Sequence, residues 1–443
     1  MYTEIKRTVL VSGLLVALAA SATACGGHAG GGGADKKPDG TATWRLSSSH
    51  GLGNIIVGGE PVTGSKPSGI DKVPYQRTYT DGALYAPVTG YRSMAFYRSG
   101  LEAIYDDVLT AGVKSGGASG DVLTTIQPGA QKAAFDALGG RPGAAVALDA
   151  RTGRLLALVS TPSYDPGSFS GNTLGDETAW KALIRHKPDP MLNRALRLAP
   201  APGATFHVVV AAAALERGLY ASVDDTTKTP LSYALPGTAD TVAGDSPRCA
   251  NASIRTALRY SCANVFAKMA VDVGQSALRS TAEELGFNDE KVLTPVRAYE
   301  SAYPTQTLPA EQLARTGNGG GDVVATPLEM ARIMASMADG GRLVAPRLVD
   351  QVVKADGSTE RPTVPVGRTG QAVSRHTAEQ LRSALTTAVV RGEDSHGSWF
   401  ITCTPQADGR TVSVVVYVAR QASDGDSAQA AEQVAGRITA ALS

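Results

Sequence analysis

The sequence predicts a mixed α/β protein built on an antiparallel sheet, and three observations carry that expectation. Residues 144–150 and 155–160 are two apolar runs joined by Arg151-Thr152-Gly153, the pattern of a β-hairpin with glycine in its turn. Residues 398–404 and 411–419 make a second hairpin around Asp408-Gly409. Between the two hairpins, every residue from Val208 to Leu215 is Val, Ala or Leu. A helix that is apolar all round has no solvent face and belongs in a core.

Taken in order, residues 1–25 read as a leader. Lys6 and Arg7 supply the positive start, and residues 9–20 an apolar stretch too short to span a bilayer comfortably. The leader ends in Ala22-Thr23-Ala24-Cys25-Gly26, which resembles a bacterial lipobox with Cys25 as the lipidated residue. Ala22 stands where that motif usually has Leu, and an ordinary secretory signal cleaved nearby is the alternative. Residues 26–46 are Gly-rich and polar, a flexible tether. Residues 47–120 form a first unit, in which 53–64 and 75–91 alternate short apolar runs with turn residues and read as strands and turns.

Residues 121–443 form the main domain. A strand from Val122 runs into an amphipathic helix with Ala133, Ala134, Ala137 and Leu138 on one face. Residues 251–261 are a helix candidate flanked by Cys249 and Cys262. In an exported protein such a pair can form a disulfide, with two buried free thiols as the alternative. Cys403 then lies unpaired on a strand. Thr326 is an N-cap and Pro327 the first residue of a helix that packs Leu328, Met330, Ala331 and Ile333 on a core. Further helices are expected over 377–391 and 427–442, the latter capped by Ser427.

The segment 201–218 organises the site. Pro202-Gly203 turns the chain into the apolar helix, whose start offers free backbone N–H donors and a positive dipole end. Here the sequence resembles the transpeptidase domains of penicillin-binding proteins. In that family P-P-G-S-T-F-K opens a buried helix, Ser is the acylated nucleophile, and Lys three residues on helps activate it. This chain reads Pro202-Gly203-Ala204-Thr205-Phe206-His207, so Ala204 has no nucleophile and His207 replaces the amine. The resemblance implies the family's fold: an antiparallel sheet with flanking helices, an all-helical lobe, and a small β-rich pedestal in front. It covers roughly 124–442, including Thr161-Pro-Ser-Tyr-Asp-Pro166 and Ala325-Thr-Pro-Leu-Glu-Met-Ala331, with the pedestal as a weaker extension.

The family's second motif, S-x-N, relays a proton and holds the substrate amide. Here Ser261 is present, but Ala263 takes the third position and Asn264 falls one residue late, about 100° away if helical. Read alone, Ser261 is equally a helix N-cap. The third motif, K-T-G, lies on a strand that supplies a cation for the substrate carboxylate and accepts the peptide as an added strand. Arg368-Thr369-Gly370 precedes the helix at 377 rather than following it, and reads as a loop. Only residues 392–398 follow that helix before the next strand, so the K-T-G strand reads as deleted. Ser395-His396 has no third group to orient it and is not read as a catalytic pair.

Composition narrows the function. Lys and Arg number 42 against 41 Asp and Glu, with no basic run, which argues against a nucleic-acid partner. Six His and four Cys show neither C-x-x-C nor H-E-x-x-H spacing, so no metal or other cofactor is expected. The Gly-rich stretch 317–321 is followed by no Lys-Ser/Thr and is not read as a phosphate loop. With all three motifs altered, the expectation is a pseudoenzyme. It would sit at the outer face of the plasma membrane through a lipid on Cys25 and bind a peptidoglycan stem peptide or envelope and division proteins. The alternative is an active D,D-transpeptidase or carboxypeptidase using displaced groups, Thr205 with His207, or Ser261.

Overall fold

A computed structural model of the chain describes residues 50–443 apart from 364–366, 386–389, 394–395 and 422–425, together with 35–36, 42–43 and 46. Cys25 and the leader lie outside the described residues. Among the described residues, no helix is long and apolar enough to cross a membrane.

After a two-residue strand pair of Asp35–Lys36 with Ala42–Thr43, the elements begin with β1 (Ile55–Val57), β2 (Glu60–Pro61) and the hairpin of β3 (Thr63–Pro67) with β4 (Tyr75–Tyr79). Gly82–Thr89 is then a helix, where the sequence suggested continued strands and turns. Ala83-Leu-Tyr-Ala86 contains good helix formers, but Pro87 interrupts the pattern that would have revealed them. Three short helices occupy 100–115. There follow β5 (Asp121–Thr124), α1 (Pro128–Leu138), β6 (Gly143–Asp149) and β7 (Leu155–Thr161). The helical lobe contains α2 (His207–Glu216), α3 (Ile254–Arg259), α4 (Ala263–Val273) and α5 (Gln275–Glu284). The chain returns through α6 (Pro327–Ala338), β8 (Val349–Val353), β9 (Thr359–Glu360) and α7 (Arg375–Leu385). It ends with β10 (Val390–Glu393), β11 (Gly397–Pro405), β12 (Thr411–Ala419) and α8 (Ser427–Leu442).

The two hairpins read from sequence meet in one antiparallel five-stranded sheet of order β10-β11-β12-β6-β7. Strands β12, β6 and β7 are buried on both faces, and the period of two decides which core each side chain enters. Val412, Val414, Val416 and Val418 of β12 join Ala145 and Ala147 of β6 against α1 and α8. Val415 and Tyr417 face the other way with Val146 and Leu148, against α6 and the helical lobe. Helix α2 is buried from His207 to Leu215 and is surrounded by α4, α5 and α7. A second sheet of order β9-β8-β5-β1-β2 joins β1 parallel to β5, so residues on either side of position 120 share one ladder.

Three local readings are corrected. The helix expected to reach 391 is described as α7 over Arg375–Leu385, residues 386–389 lie outside the described residues, and Val390–Glu393 is a strand. The K-T-G-position strand is therefore present rather than deleted. Helix α8 is capped by Asp426, which accepts the Gln429 N–H at 2.9 Å, while the Ser427 hydroxyl pairs with Ser398 Oγ at 2.7 Å. Helix α4 takes Cys262 as its N-cap position with no side-chain cap bond, and Ser261 sits one residue earlier at φ 48°.

Candidate functional site

The site forms where three walls converge on the turn Gly203–Phe206 that opens α2. The first wall is β10. A Cβ on Gly392 would lie 2.6 Å from the Pro202 carbonyl and 3.2 Å from the Ala204 nitrogen, so only glycine permits this approach. Next to it, the Trp399 indole N–H donates to the Ala201 carbonyl at 2.9 Å, tying β11 to the same turn. The second wall is the 317–321 loop. Its Gly319, at φ 66°, leaves no room for a side chain against Gly203, whose carbonyl would lie 2.3 Å from a Cβ. The glycines of that loop thus serve close packing. The third wall is the turn Ser261-Cys262-Ala263 before α4.

Cys249 and Cys262 form a disulfide that closes a short loop behind this third wall. A loop of that size constrains the unfolded chain by about 3 kcal/mol in the entropy model. Ser261 Oγ lies 3.5 Å from the Arg391 carbonyl, so the hydroxyl faces β10 across the site. Asn264 is fully buried and donates to the Pro230 and Cys249 carbonyls at 2.8 and 3.0 Å. It points away from the site, as its one-residue offset anticipated.

Of the turn's own residues, Ala204 alone is half-exposed toward the site. Thr205 is fully buried, and its hydroxyl donates back to the Pro202 carbonyl at 2.6 Å. His207 is turned into the protein, stacked on Phe266 with centroids 3.9 Å apart. Its Nε2 lies 2.8 Å from Asn318 Oδ1, and Asn318 Nδ2 donates to the Ala263 carbonyl at 3.2 Å. An imidazole donating to that amide oxygen carries its proton on Nε2. Burial drives the His207 pKa down to about 4, against the opposing pull of the Asn318 bond. The ring is neutral across the physiological range. Asn318 was missed by sequence reasoning, and its signal was the glycine run around it.

On β10 the triplet ending in the packed glycine is Val390-Arg391-Gly392. Gly392 pairs with Trp399 on the site face, and Arg391 pairs with Phe400 on the opposite face. Arg391 accordingly reaches Glu432 of α8 at 3.0 Å. Two residues before the glycine, where the K-T-G motif has its cation, the sequence has Val390. Arg368, by contrast, pairs with Glu284 at 2.6 Å in a segment leading to the short strand at Gly370. Among the described residues, no cluster of His, Cys, Asp and Glu could hold a metal.

The arrangement positions a helix start, an edge strand and a turn hydroxyl around one point, beside Ala204. Comparison with known proteins agrees with the frame. Residues 143–397 match the penicillin-binding protein transpeptidase domain, and residues 52–131 match the penicillin-binding protein A dimerisation domain. Peptidoglycan D,D-transpeptidase PbpA of Mycolicibacterium smegmatis is 30% identical over 365 residues, covering 77% of this chain and 72% of that protein. The Mycobacterium tuberculosis PbpA is 32% identical over 368 residues with the same coverage. The structure of penicillin-binding protein A from M. tuberculosis, solved as an imipenem acyl-enzyme complex, superposes with a TM-score of 0.79 at 29% identity. That match covers 89% of this chain and 99% of the other. With more than half its length matched by the transpeptidase model and its sheet, lobe and site walls in place, the chain belongs to the class B type of the penicillin-binding protein transpeptidase family.

Proposed function

We propose that this protein is a non-catalytic transpeptidase homologue of the cell envelope that binds a peptidoglycan stem peptide or a division protein without cleaving it. The observation that carries this reading is the state of the turn at α2. Ala204 presents a methyl group to the site, while the Thr205 hydroxyl and the His207 ring are both turned inward and engaged. The M. tuberculosis relative is an acyl-enzyme with imipenem, and forming an ester of that kind needs a hydroxyl where this chain has Ala204. Val390 removes the cation that would engage a substrate carboxylate, and Ala263 removes the amide that would hold the acyl side. What is left at β10 is an edge strand to which an extended peptide could add by main-chain hydrogen bonds. The envelope location rests on the leader, with a lipid on Cys25 as the anchor.

The displaced-group alternative is weakened at Thr205, whose hydroxyl is fully buried, and survives only at Ser261. The test is incubation with a fluorescent penicillin followed by intact mass. The expected result is no covalent adduct. A mass increase equal to one β-lactam, lost in Ser261→Ala, would establish the alternative and overturn the proposal.

A further inference from the structure

Away from the site, a pocket of about 290 Å³ lies in the N-terminal region, between the β3–β4 hairpin, the 92–98 loop and the short helices before β5. Its polar wall is a cluster in which three guanidiniums share two carboxylates. Glu102 receives Arg77 at 2.7 Å and Arg92 at 3.0 Å, and Asp106 receives Arg92 and, at 3.1 Å, Arg98. The Arg77 and Glu102 side chains are fully buried, Arg92 is 15% exposed and Asp106 21% exposed; these four charges balance, so the cluster's surplus positive charge is that of Arg98 at the rim. At the rim, Lys72 makes no ion pair among the described residues, and Arg98 is half open to solvent. The other wall is apolar, formed by Leu52, Val73, Met94 and Val113.

We propose that this pocket captures a carboxylate attached to a small apolar group, such as the C-terminal residue of a peptide. The surplus Arg98 guanidinium at the rim is stabilised by a counter-ion, and charge-assisted bonds to guanidinium are among the stronger ones available. The planar fork of Arg98 matches a carboxylate bidentately, and Lys72 adds a point charge beside it. Arg98 and Lys72 together present two rim cations to one carboxylate, and the apolar wall takes a hydrocarbon beside it. The volume sits at the low end of small-ligand pockets, about 300 Å³, which suits one residue rather than a polymer. This surface is independent of the Ala204 site.

The full chain is titrated calorimetrically with N-acetyl-L-valine and with its amide. Saturable binding of the acid is expected, with the amide about tenfold weaker, the loss of one charge-assisted hydrogen bond. The rim variant Lys72→Gln/Arg98→Gln should bind the acid about tenfold more weakly with an unchanged thermal midpoint, since the buried Arg77, Arg92 and Glu102 are untouched. A charge-conserving Arg98→Lys should recover part of that loss. Equal binding of acid and amide, undiminished binding by the rim variant, or no saturable heat would each overturn the proposal. Tighter binding of inorganic phosphate than of the acid would overturn the carboxylate assignment.

Discussion

Lowering the pH from 7 to 5 should destabilise this protein by about 2 kcal/mol through His207 alone. The ring titrates at about 4 when folded, against 6.5 for an ordinary histidine. Between those values the unfolded chain takes up the proton while the folded chain resists it. Stability therefore rises with pH across the window, is fully present above 6.5, and is lost as pH falls toward 4. Each unit corresponds to about 1.4 kcal/mol, so the whole window amounts to roughly 3 kcal/mol and the part above pH 5 to about 2. The perturbation is His207→Gln, which cannot titrate but can still donate to Asn318 Oδ1. Urea unfolding followed by tryptophan fluorescence at pH 7 and pH 5 gives the two stabilities for each protein. The parent should lose about 2 kcal/mol more than the variant between the two conditions. Equal losses would mean that the ring charges without penalty, and that its buried, stacked and neutral state is misassigned.

Three further expectations concern the site and the leader. Gly392→Ala places a Cβ 2.6 Å from the Pro202 carbonyl, which should cost about 1–3 kcal/mol in urea unfolding; an unchanged midpoint would mean that β10 does not rest on the α2 turn. Ala204→Ser with His207→Lys should give only a trace of acylation by fluorescent penicillin. Adding Ala263→Asn and Val390→Lys should raise the rate at least about a hundredfold, the loss associated with one missing preorganised donor, and rapid acylation by the double variant alone would refute this reading of β10. Cys25→Ser should move the protein out of the detergent phase when it is expressed in a bacterium with lipoprotein processing; unaltered partitioning would leave an ordinary signal peptide.

Much of the frame was legible because it obeys local rules. Periodicity marked both hairpins, the absence of any polar residue marked α2, and Thr326 with Pro327 marked the start of α6, where Thr326 does accept the Glu329 N–H at 3.1 Å. The misread segments share a cause. Strand β10 has four residues, and the expectation of a longer helix at 377 absorbed its first two. An edge strand this short carries no alternation, and its identity comes from pairing with β11 and from Gly392 against the α2 turn. Asn318 was hidden for a related reason, since it lies 111 residues from His207 and only the folded lobe brings them together. The Arg77–Glu102 pair is likewise a tertiary product.

The packing also explains why Ala204 and His207 belong together. Gly203, Gly319 and Gly392 are required by backbone approach, whatever chemistry the turn performs. An ammonium at position 207 would be buried against Phe266 beside a single amide oxygen, and an ionised group held that way is costly unless a charge accompanies it. A serine nucleophile gives such an amine its function. Where Ala204 removes the nucleophile, a neutral imidazole fills the same volume, stacks on Phe266 and satisfies Asn318 with one donor. Its Asn318 bond then continues to the Ala263 carbonyl, bracing the start of α2 against the start of α4. His207 and Asn318 thus hold two walls of the site together, whatever group stands at position 204.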